Sequence, residues 1–289
     1  MNSFMSWIGG KKALREEILM RFPPEVKRYV EVFGGGGWIL FHKPPGDFEV
    51  YNDFNPNLTN LFRCVRDAPE ELIGELEFTL NSRLDFQHIR KELKKTSELP
   101  DVKRAAYFYQ LIRQSYASGL DSFGAQPRSM WDNFPLIRAS CYRLQKVAVE
   151  CKDFEKLIRQ YDRPDTFFYC DPPYYSTEDY YEDVGFTADD HQRLADALCG
   201  IKGKFLLSYN DCPEIRALYR KPGMVIEGTA RLSNIAQRYE GGAMYAELLI
   251  ANYDTTEQAR QMLQLTLWDD PEERDRILRE RRVLYNGNI

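Results

Sequence analysis

The chain has 289 residues and a mass of 33.9 kDa, with 43% hydrophobic residues, 29% charged residues and a net charge of −5. This composition is ordinary for a globular protein and excludes a largely disordered or a collagen-like chain. The length predicts one large domain, or one domain that carries a sizeable insert. Because no apolar run approaches about 20 residues, and no basic segment precedes an apolar one at the amino terminus, we expect no membrane span and no secretory signal.

The first part of the chain predicts a βαβ unit. A helix is expected over ALREEILMRF, and RYVEVF then predicts a strand that the glycines from Gly34 to Gly37 interrupt. WILF opens a further helix, and FEVYND predicts a second strand. Strand, glycine turn, helix and strand in this order are typical of a βαβ unit.

The region from 72 to 146 predicts an inserted, mainly helical module. Helix-forming residues dominate ELIGELEFTLNSR, VKRAAYFYQLIRQSYA and LIRASCYRLQKV, whereas SGLDSFGAQPRSMWDNFP suits a loop or a hairpin. The region carries 12 Lys and Arg against 8 Asp and Glu, while the remainder carries 27 against 36. A basic insert on an acidic body suits a protein that grips a polyanion, and a basic, solvated helical surface is the alternative.

The β/α pattern resumes after residue 146. VAVEC predicts a strand, DFEKLIRQY a helix, and TFFYC a strand that ends at DPPYY, before the acidic, tyrosine-rich loop YSTEDYYEDVG. TADDHQRLADALCG has a helix start signal with Thr187 as the N-cap residue. GKFLLSYND, MVIEGTARLS and MYAELLIANY predict three further strands, and the tail from Asp254 is charged and partly helical.

The cysteines and histidines narrow the chemistry. None of the six cysteines forms a C-x-x-C pair, and without an export signal we expect reduced thiols in the cytoplasm. His42, His88 and His191 do not lie at metal-ligand spacing to a cysteine or to one another. We therefore expect no zinc or other metal site.

The glycine run and Asp53 suggest a nucleotide-like ligand. Glycines directly after a strand let the backbone turn tightly and approach a ligand, and Asp53 ends the next strand, 19 residues after Gly34. An acidic residue at this place in a βαβ unit accepts hydrogen bonds from ribose hydroxyls. A plain turn for the glycines, and an Asx-turn or helix cap for Asp53, remain the alternatives.

Asp171-Pro172-Pro173-Tyr174 is the strongest chemical signal. Proline has no N–H, so Asp171 and the Pro172 carbonyl can hold an amino group between two acceptors. Tyr174 can stack on a planar base. The alternative is a rigid strand-to-loop turn with an exposed aromatic ring.

Together these motifs resemble, in their order along the chain, those of Dam-type (D12 class) DNA adenine-N6 methyltransferases. The resemblance spans roughly residues 4 to 253, and the order of glycine motif, helical insert and DPPY matches the α-type arrangement of amino-methyltransferases. The segments that carry it are SWIGGK up to Lys11, EVFGGGG (Glu31–Gly37), VYNDFN with Asp53, DF at Asp153 and Phe154, and DPPY (Asp171–Tyr174).

The resemblance implies a fold and a division of the chain. The fold is α/β: a Rossmann-like sheet of S-adenosylmethionine-dependent methyltransferases with helices on both faces, plus an inserted, mainly helical target-recognition domain. The catalytic domain covers 1–71 and 147–253, the target-recognition domain 72–146, and a charged tail 254–289.

The implied cofactor is S-adenosylmethionine. By resemblance, two residues near the amino terminus, Trp7 and Lys11, enclose it; without the resemblance, Trp7 would be assigned to core packing and Lys11 to a solvated charge. Phe33, Gly34 and Gly36 line its methionine and ribose end. Asp53 binds the ribose, Asp153 and Phe154 meet the adenine ring, and Asp171 is also counted among the cofactor residues.

The implied reaction is a direct displacement at a flipped-out adenine in double-stranded DNA. Asp171 and the Pro172 carbonyl accept hydrogen bonds from N6–H, and Tyr174 stacks on the base. Target recognition is expected from Tyr116, Ser118, Phe123 and Arg128 in the insert, unless the insert's aromatic residues form its own core. YASGLDSF departs from the family's YNGL-like turn followed by arginine, which argues against a GATC site.

Two other hypotheses remain. One keeps the enzyme class but changes the substrate to cytosine N4, RNA or a protein amide, although SPPY or NPPY would then be the commoner motifs. The other is a DNA-binding module without catalysis, against which the intact Asp171 and glycine turn argue. The sequence leaves open the recognition site, the oligomeric state and a cognate restriction endonuclease as partner.

Overall fold

The strands of the protein form one mixed sheet in the computed structural model, which describes residues 1–95, 99–125, 129–176, 185–232 and 244–256. Every predicted strand is present. The bounds are β1 (Arg28–Glu31), β2 (Phe48–Asn52), β3 (Val147–Glu150), β4 (Thr166–Cys170), β5 (Lys204–Asn210), β6 (Val225–Leu232) and β7 (Met244–Ala251).

The strand order places the two βα halves side by side. Across the sheet the order is β3-β2-β1-β4-β5-β7-β6, with the first five strands parallel and β7 antiparallel to β5 and β6. In such open α/β sheets, ligands bind outside the carboxyl ends of the strands where the strand order reverses. Here that point lies between β1 and β4.

Most helices follow the predicted segments, whereas the helix over RLDFQHIRKELK lies in the predicted helical region but was not predicted individually. PEIRALY, which forms a helix of seven residues, was not predicted because it is too short for a periodic pattern. The helices are α1 (Arg15–Leu19), α2 (Trp38–His42), α3 (Pro56–Asp67), α4 (Pro69–Glu77), α5 (Arg83–Lys94), α6 (Asp101–Gln114), α7 (Phe134–Leu144), α8 (Phe154–Tyr161), α9 (Ala188–Cys199) and α10 (Pro213–Tyr219).

Local signals begin two of these helices. The Asn55 side chain caps α3 by accepting hydrogen bonds from the backbone N–H groups of Asn57 and Leu58, at 3.0 and 3.2 Å. At α9, Thr187 is the predicted N-cap residue, and its N–H donates to the Asp190 carboxylate at 2.8 Å, which completes a capping box.

Alternating strand residues bury both faces of the sheet. In β4 all five residues are buried: Phe167 and Tyr169 join the core under α2, α3, α4, α6 and α7, whereas Phe168 and Cys170 join the core under α8, α9 and α10. A strand buried on both faces is typical of a parallel sheet covered by helices on each side. The predicted Rossmann-like α/β fold is therefore confirmed.

The predicted insert shares its core with this sheet. Leu72, Tyr109 and Ile137, from α4, α6 and α7, belong to the same buried cluster as the strand residues Tyr51 and Tyr169. A smaller cluster of Phe86, Ile89 and Leu111 lies between α5 and α6. The segment is mainly helical, as expected, and its assignment as a separate domain over 72–146 stays a prediction.

A buried ion cluster fastens α7 to the sheet. Glu49 on β2 is 1% exposed and receives two hydrogen bonds from Arg143 of α7, at 2.5 and 2.8 Å, and a further one from Lys43. Burial raises the pKa of Glu49, but the hydrogen bonds and charges of Arg143 and Lys43 outweigh it and lower that pKa. The negative charge thus depends on both cations.

We expect Glu49→Leu to destabilise the protein by about 3–5 kcal/mol, because it leaves two buried cations without their partner. The double variant Glu49→Leu/Arg143→Met should recover part of this loss. Urea unfolding measures both. The control is Glu70→Leu, which breaks an exposed pair with Arg138 and should hardly move the urea midpoint. Equal effects of Glu49→Leu and Glu70→Leu would contradict the expectation.

Candidate active site

The motif residues meet at the carboxyl ends of β1, β2 and β4. Glu31, the last residue of β1, pairs with Tyr51 on one side and with Tyr169 on the other. The glycine turn that follows β1 therefore lies between Asp53, which follows β2, and Asp171, which follows β4. Pairing of the strands in the sheet thus brings together Asp53 and Asp171, which lie more than a hundred residues apart in the sequence.

The glycine turn is shaped by close packing against β2. The N–H of Gly34 donates to the Asn52 carbonyl at 2.7 Å, and a Cβ at Gly34 would overlap the Tyr51 ring. Gly35 has a φ of +49°, in the left-handed region that favours glycine. The Tyr51 hydroxyl donates to the Gly35 carbonyl at 2.7 Å. The turn thus keeps one fixed shape.

Asp53 holds this turn from the end of β2. One carboxylate oxygen accepts from the N–H of Gly35 at 2.9 Å, and the other accepts from the N–H of Asn55 at 2.9 Å. Burial raises the Asp53 pKa against the effect of these backbone donors. The Asx-turn that the sequence left as an alternative is therefore present, and ribose binding by Asp53 stays a prediction.

The amino-terminal segment packs over the glycine turn. Trp7 lies against Gly35 and Gly36, and its ring centroid is 5.9 Å from that of Phe108 on α6. Ser3 donates to the Gly36 carbonyl at 2.5 Å. Trp7 is half-buried and contributes to packing, and its role in cofactor binding stays a prediction.

Lys11 reaches the DPPY motif. Its side chain is only 4% exposed, and Nζ lies 2.5 Å from Oδ1 of Asp171, 3.1 Å from the Gly9 carbonyl and 4.7 Å from the centre of the Tyr174 ring. The solvated charge that the residue type alone would suggest is therefore wrong. The contact brings together two residues that were predicted as cofactor residues.

Asp171 is a mostly buried carboxylate with two donors. Besides Lys11, the Ser208 hydroxyl donates to Oδ1 at 2.9 Å. Burial raises the pKa of Asp171 above its ordinary value, the charge and hydrogen bond of Lys11 lower it, and the charge of Glu247 raises it. A raised pKa at a cleft, set by burial and a specific charged partner, marks a candidate functional group.

The rest of the motif sets the space beside Asp171. Pro172 and Pro173 are buried, and Tyr174 is half-buried with its ring centroid 6.0 Å from that of Tyr209. Burial raises the pKa of Tyr174 well above its usual range, so the hydroxyl stays protonated. The ring is thus held in place next to the candidate carboxylate.

The DF motif divides into two different environments. Asp153 caps α8 through the N–H groups of Glu155 and Lys156, at 3.1 and 3.3 Å, and forms an ion pair with Arg193. Phe154 is buried and packs at 5.6 Å from Phe33, centroid to centroid. The structure brings the two predicted aromatic residues together, while the Asp153 carboxylate is already engaged.

The predicted recognition residues that the structure describes have different environments. Tyr116 is 51% exposed; Ser118 is buried and its hydroxyl lies 2.8 Å from that of Ser6. Phe123 packs at 5.7 Å from Phe86, as the alternative of an insert core proposed, and a β-bridge from Ser115 to Phe123 supports the predicted hairpin. Arg128 lies outside the described residues, as does most of the acidic loop after DPPY.

Sequence reasoning missed three side chains at the site. Ser208, Asn210 and Glu247 stand in segments that predict ordinary strands. Ser208 and Glu247 contact or influence the DPPY motif, and Asn210 contacts Tyr175, which follows it. The available signal was the polar residue within an apolar strand pattern. Glu247 is 0% exposed, and a carboxyl group buried in a strand is costly unless it has partners.

The family model described as D12 class N6 adenine-specific DNA methyltransferase matches residues 7–239, which is most of the chain. The chain belongs to this family. The resemblance identified from the ordered motifs is thereby confirmed, and with it the enzyme class and the specificity for adenine in DNA that define the family.

Curated relatives agree with this assignment. The chain is 29% identical to the Retron Ec67 DNA adenine methylase of Escherichia coli, over 76% of this chain and 81% of the relative. It is 27% identical to the Type II methyltransferase M1.LlaDCHI of Lactococcus lactis subsp. cremoris, over 88% and 96%. The DNA adenine methylase of Vibrio cholerae is 28% identical, over 75% and 84%.

Two features are absent from the part of the chain that the structure describes. No described helix is both long and apolar enough to cross a bilayer. Nor do the described His, Cys, Asp and Glu side chains form a group of three or more that could hold a metal ion.

Glu31 is a buried carboxyl group close to the candidate site. It ends β1, is 2% exposed, and accepts a hydrogen bond from the Tyr29 hydroxyl at 2.7 Å. Burial raises its pKa from the ordinary 4.5 to about 8, although Tyr29 and Lys43 act in the opposite direction. The negative charge of Asp171 contributes to the increase. The neutral form of Glu31 is therefore favoured at pH 7.

We expect Glu31→Gln to gain stability relative to the wild type as the pH rises. Because the folded-state pKa is raised, stability from Glu31 is fully present below pH 4.5 and is lost as the pH rises to about 8. The slope approaches about 1.4 kcal/mol per pH unit, whereas glutamine has no such proton to lose. Urea unfolding of both proteins across this range measures the difference; parallel profiles would contradict the expectation.

Proposed function

We propose that the protein transfers a methyl group from S-adenosylmethionine to N6 of an adenine that is flipped out of double-stranded DNA. The observation that carries the proposal is the position of Asp171. In a chain of this family, a mostly buried carboxylate with a raised pKa lies next to the glycine turn and beside the half-buried Tyr174 ring.

The residues around the glycine turn suit the cofactor. The close packing of Gly34 on Tyr51 gives the glycine turn one fixed shape, and Trp7 and Lys11 stand beside it. The cluster of Phe33 and Phe154 offers apolar faces for an adenine ring. We assign cofactor binding to Trp7, Lys11, Phe33, Gly34, Gly36, Asp53, Asp153, Phe154 and Asp171.

Asp171 and Pro172 would act on the amino group. When bound, the cofactor supplies a methyl group on a positively charged sulfur, so no covalent nucleophile from the protein is needed. Hydrogen bonds from N6–H to Asp171 and to the Pro172 carbonyl favour a tetrahedral nitrogen and stabilise the positive charge that develops there. Tyr174 holds the base by stacking, and the proline pair keeps the carbonyl in place.

DNA binding is assigned to the region 72–146. Extruding a base from the duplex costs a few kcal/mol, which stacking on Tyr174 and contacts with DNA partly offset. Tyr116 is exposed and available to DNA. Ser118, Phe123 and Arg128 complete the proposed recognition set, of which Phe123 also packs within the insert.

The names of two relatives suggest a cellular setting, which we give as a proposal. The Lactococcus relative is named a Type II methyltransferase, and the Escherichia coli relative is named for a retron. A cognate restriction endonuclease is therefore a proposed partner, and a cytoplasmic location stays a prediction. Sequencing of DNA from cells that express the protein, with detection of modified bases, would report the base and the recognition motif together.

We expect Asp171→Ala to reduce methyl transfer by a factor on the order of 10² to 10³ or more, because the acceptor for the developing charge is lost. DNA binding should largely remain, since phosphate contacts supply most of the affinity. Tritium transfer from labelled cofactor to DNA measures the first, and a filter-binding titration measures the second.

Two comparisons between variants test whether the loss of methyl transfer is specific to the DPPY motif. Asp67→Ala removes an exposed carboxylate of α3 and should retain activity. Tyr174→Phe keeps the stacking face and should be milder than Tyr174→Ala. An Asp171→Ala protein that methylates adenine at nearly the wild-type rate would refute the proposed mechanism.

We expect Asp53→Ala to weaken cofactor binding by about 1.5–3 kcal/mol, the contribution of a hydrogen bond to a charged acceptor. Calorimetry with S-adenosylmethionine measures the affinity, and thermal unfolding shows whether the variant is folded. Asp53→Asn is the control, because its side chain can still accept from the N–H of Gly35. A folded Asp53→Ala variant with unchanged affinity would contradict the assignment.

A further inference from the structure

Strand β5 contributes two polar side chains to the DPPY segment. Ser208 is 0% exposed and donates to Oδ1 of Asp171 at 2.9 Å. Asn210, two residues further on the same face of the strand, accepts from the N–H of Tyr175 at 3.0 Å and donates to the Tyr175 carbonyl at 3.1 Å. One strand thus holds both ends of the segment from Asp171 to Tyr175.

The two donors to Asp171 meet the same oxygen atom. Oδ1 receives the Ser208 hydroxyl and the Lys11 ammonium. Among the described residues, both donors have Oδ1, rather than Oδ2, as their partner atom on Asp171. A carboxylate that is fixed through one oxygen presents the other in a defined direction.

The serine hydroxyl has other neighbours, but they are weaker partners. The Cys170 carbonyl lies 3.4 Å away and the Tyr169 hydroxyl 3.3 Å away, compared with 2.9 Å for Asp171. A hydrogen bond to an ionised acceptor is shorter and stronger than one between neutral groups. The carboxylate is therefore the partner that accounts for a buried hydroxyl in this strand.

We propose that Ser208 is a positioning residue for methyl transfer, which anchors Oδ1 of Asp171 so that Oδ2 is the acceptor for the amino group of the target base. The inference rests on the proposed function and adds to it a residue outside the motifs that define the site. Ser208 does not touch the base; it acts through Asp171.

The charges around Asp171 give this role a measurable signature. Lys11 and Ser208 lower the Asp171 pKa, whereas burial and the charge of Glu247 on β7 raise it. Tyr169 lies beside it on β4, and Glu31 on β1 interacts with it through space. Asp171 must be ionised to accept N6–H, so the rate falls as the pH drops through its pKa. Losing the Ser208 donor raises that pKa, and removing the Glu247 charge lowers it.

The test is the pH profile of single-turnover methyl transfer to duplex DNA at saturating cofactor. For Ser208→Ala we expect a rate reduced roughly tenfold to a hundredfold, the loss of a hydrogen bond to a charged group, with the acid limb moved to higher pH. Glu247→Gln should move the acid limb to lower pH. Affinities for DNA and S-adenosylmethionine should stay close to those of the wild type.

Three further variants separate positioning from packing. Ser208→Thr keeps a hydroxyl and should restore much of the rate. Ser208→Cys keeps the volume with a weaker donor and replaces Ser208→Ala if that variant fails to fold. Ser140→Ala makes the same change at another fully buried serine, on α7, and should leave the acid limb unchanged.

A normal rate and a normal acid limb in folded Ser208→Ala or Ser208→Cys would overturn the inference. A slower rate with an unmoved acid limb would also overturn it, because that result indicates a packing role alone. A wild-type protein that transfers no methyl group to adenine would instead refute the proposed function.

Discussion

The ion pair between Lys11 and Asp171 is the interaction on which the rest of the site depends. Asp171 follows a strand in which every residue is buried, and desolvating a carboxylate costs several kcal/mol unless charges or donors compensate. Lys11 supplies a charge from the amino-terminal segment, and Ser208 supplies a donor from the sheet. Both favour the ionised form of Asp171 against the effect of burial, so losing either one shifts this carboxyl towards its neutral form.

This requirement makes the amino-terminal segment a structural junction. Ser3 binds the carbonyl of Gly36 in the glycine turn, and Ser6 contacts Ser118 in the predicted insert. The Tyr109 hydroxyl on α6 donates to the Phe4 carbonyl at 3.0 Å. The predicted cofactor turn, the carboxylate and the predicted recognition segment are therefore all tied to residues 3–11. A displacement of this short segment would affect all three together.

The sequence predicted the strands, most helices and the motif positions, because periodicity, glycine turns and caps are local signals. It could not predict which side chains face one another across the sheet. Asn210 and Glu247 become neighbours only because β5 pairs antiparallel with β7, and no local pattern encodes that register. The burial of Lys11 and the occupation of Asp53 by backbone donors likewise depend on contacts between distant segments.

The register of β5 also explains why the sheet, rather than a loop, orients the carboxylate. Cys170 pairs with Leu207, so the next residues along the two strands, Asp171 and Ser208, come side by side. A slip of one residue would turn Ser208 to the opposite face and bring Tyr209 into its place, because side chains alternate along a strand. A loop donor could shift without such a penalty. Since methyl transfer depends on positioning more than on acid–base strength, a donor fixed by the hydrophobic core on both faces suits this reaction better than a mobile one.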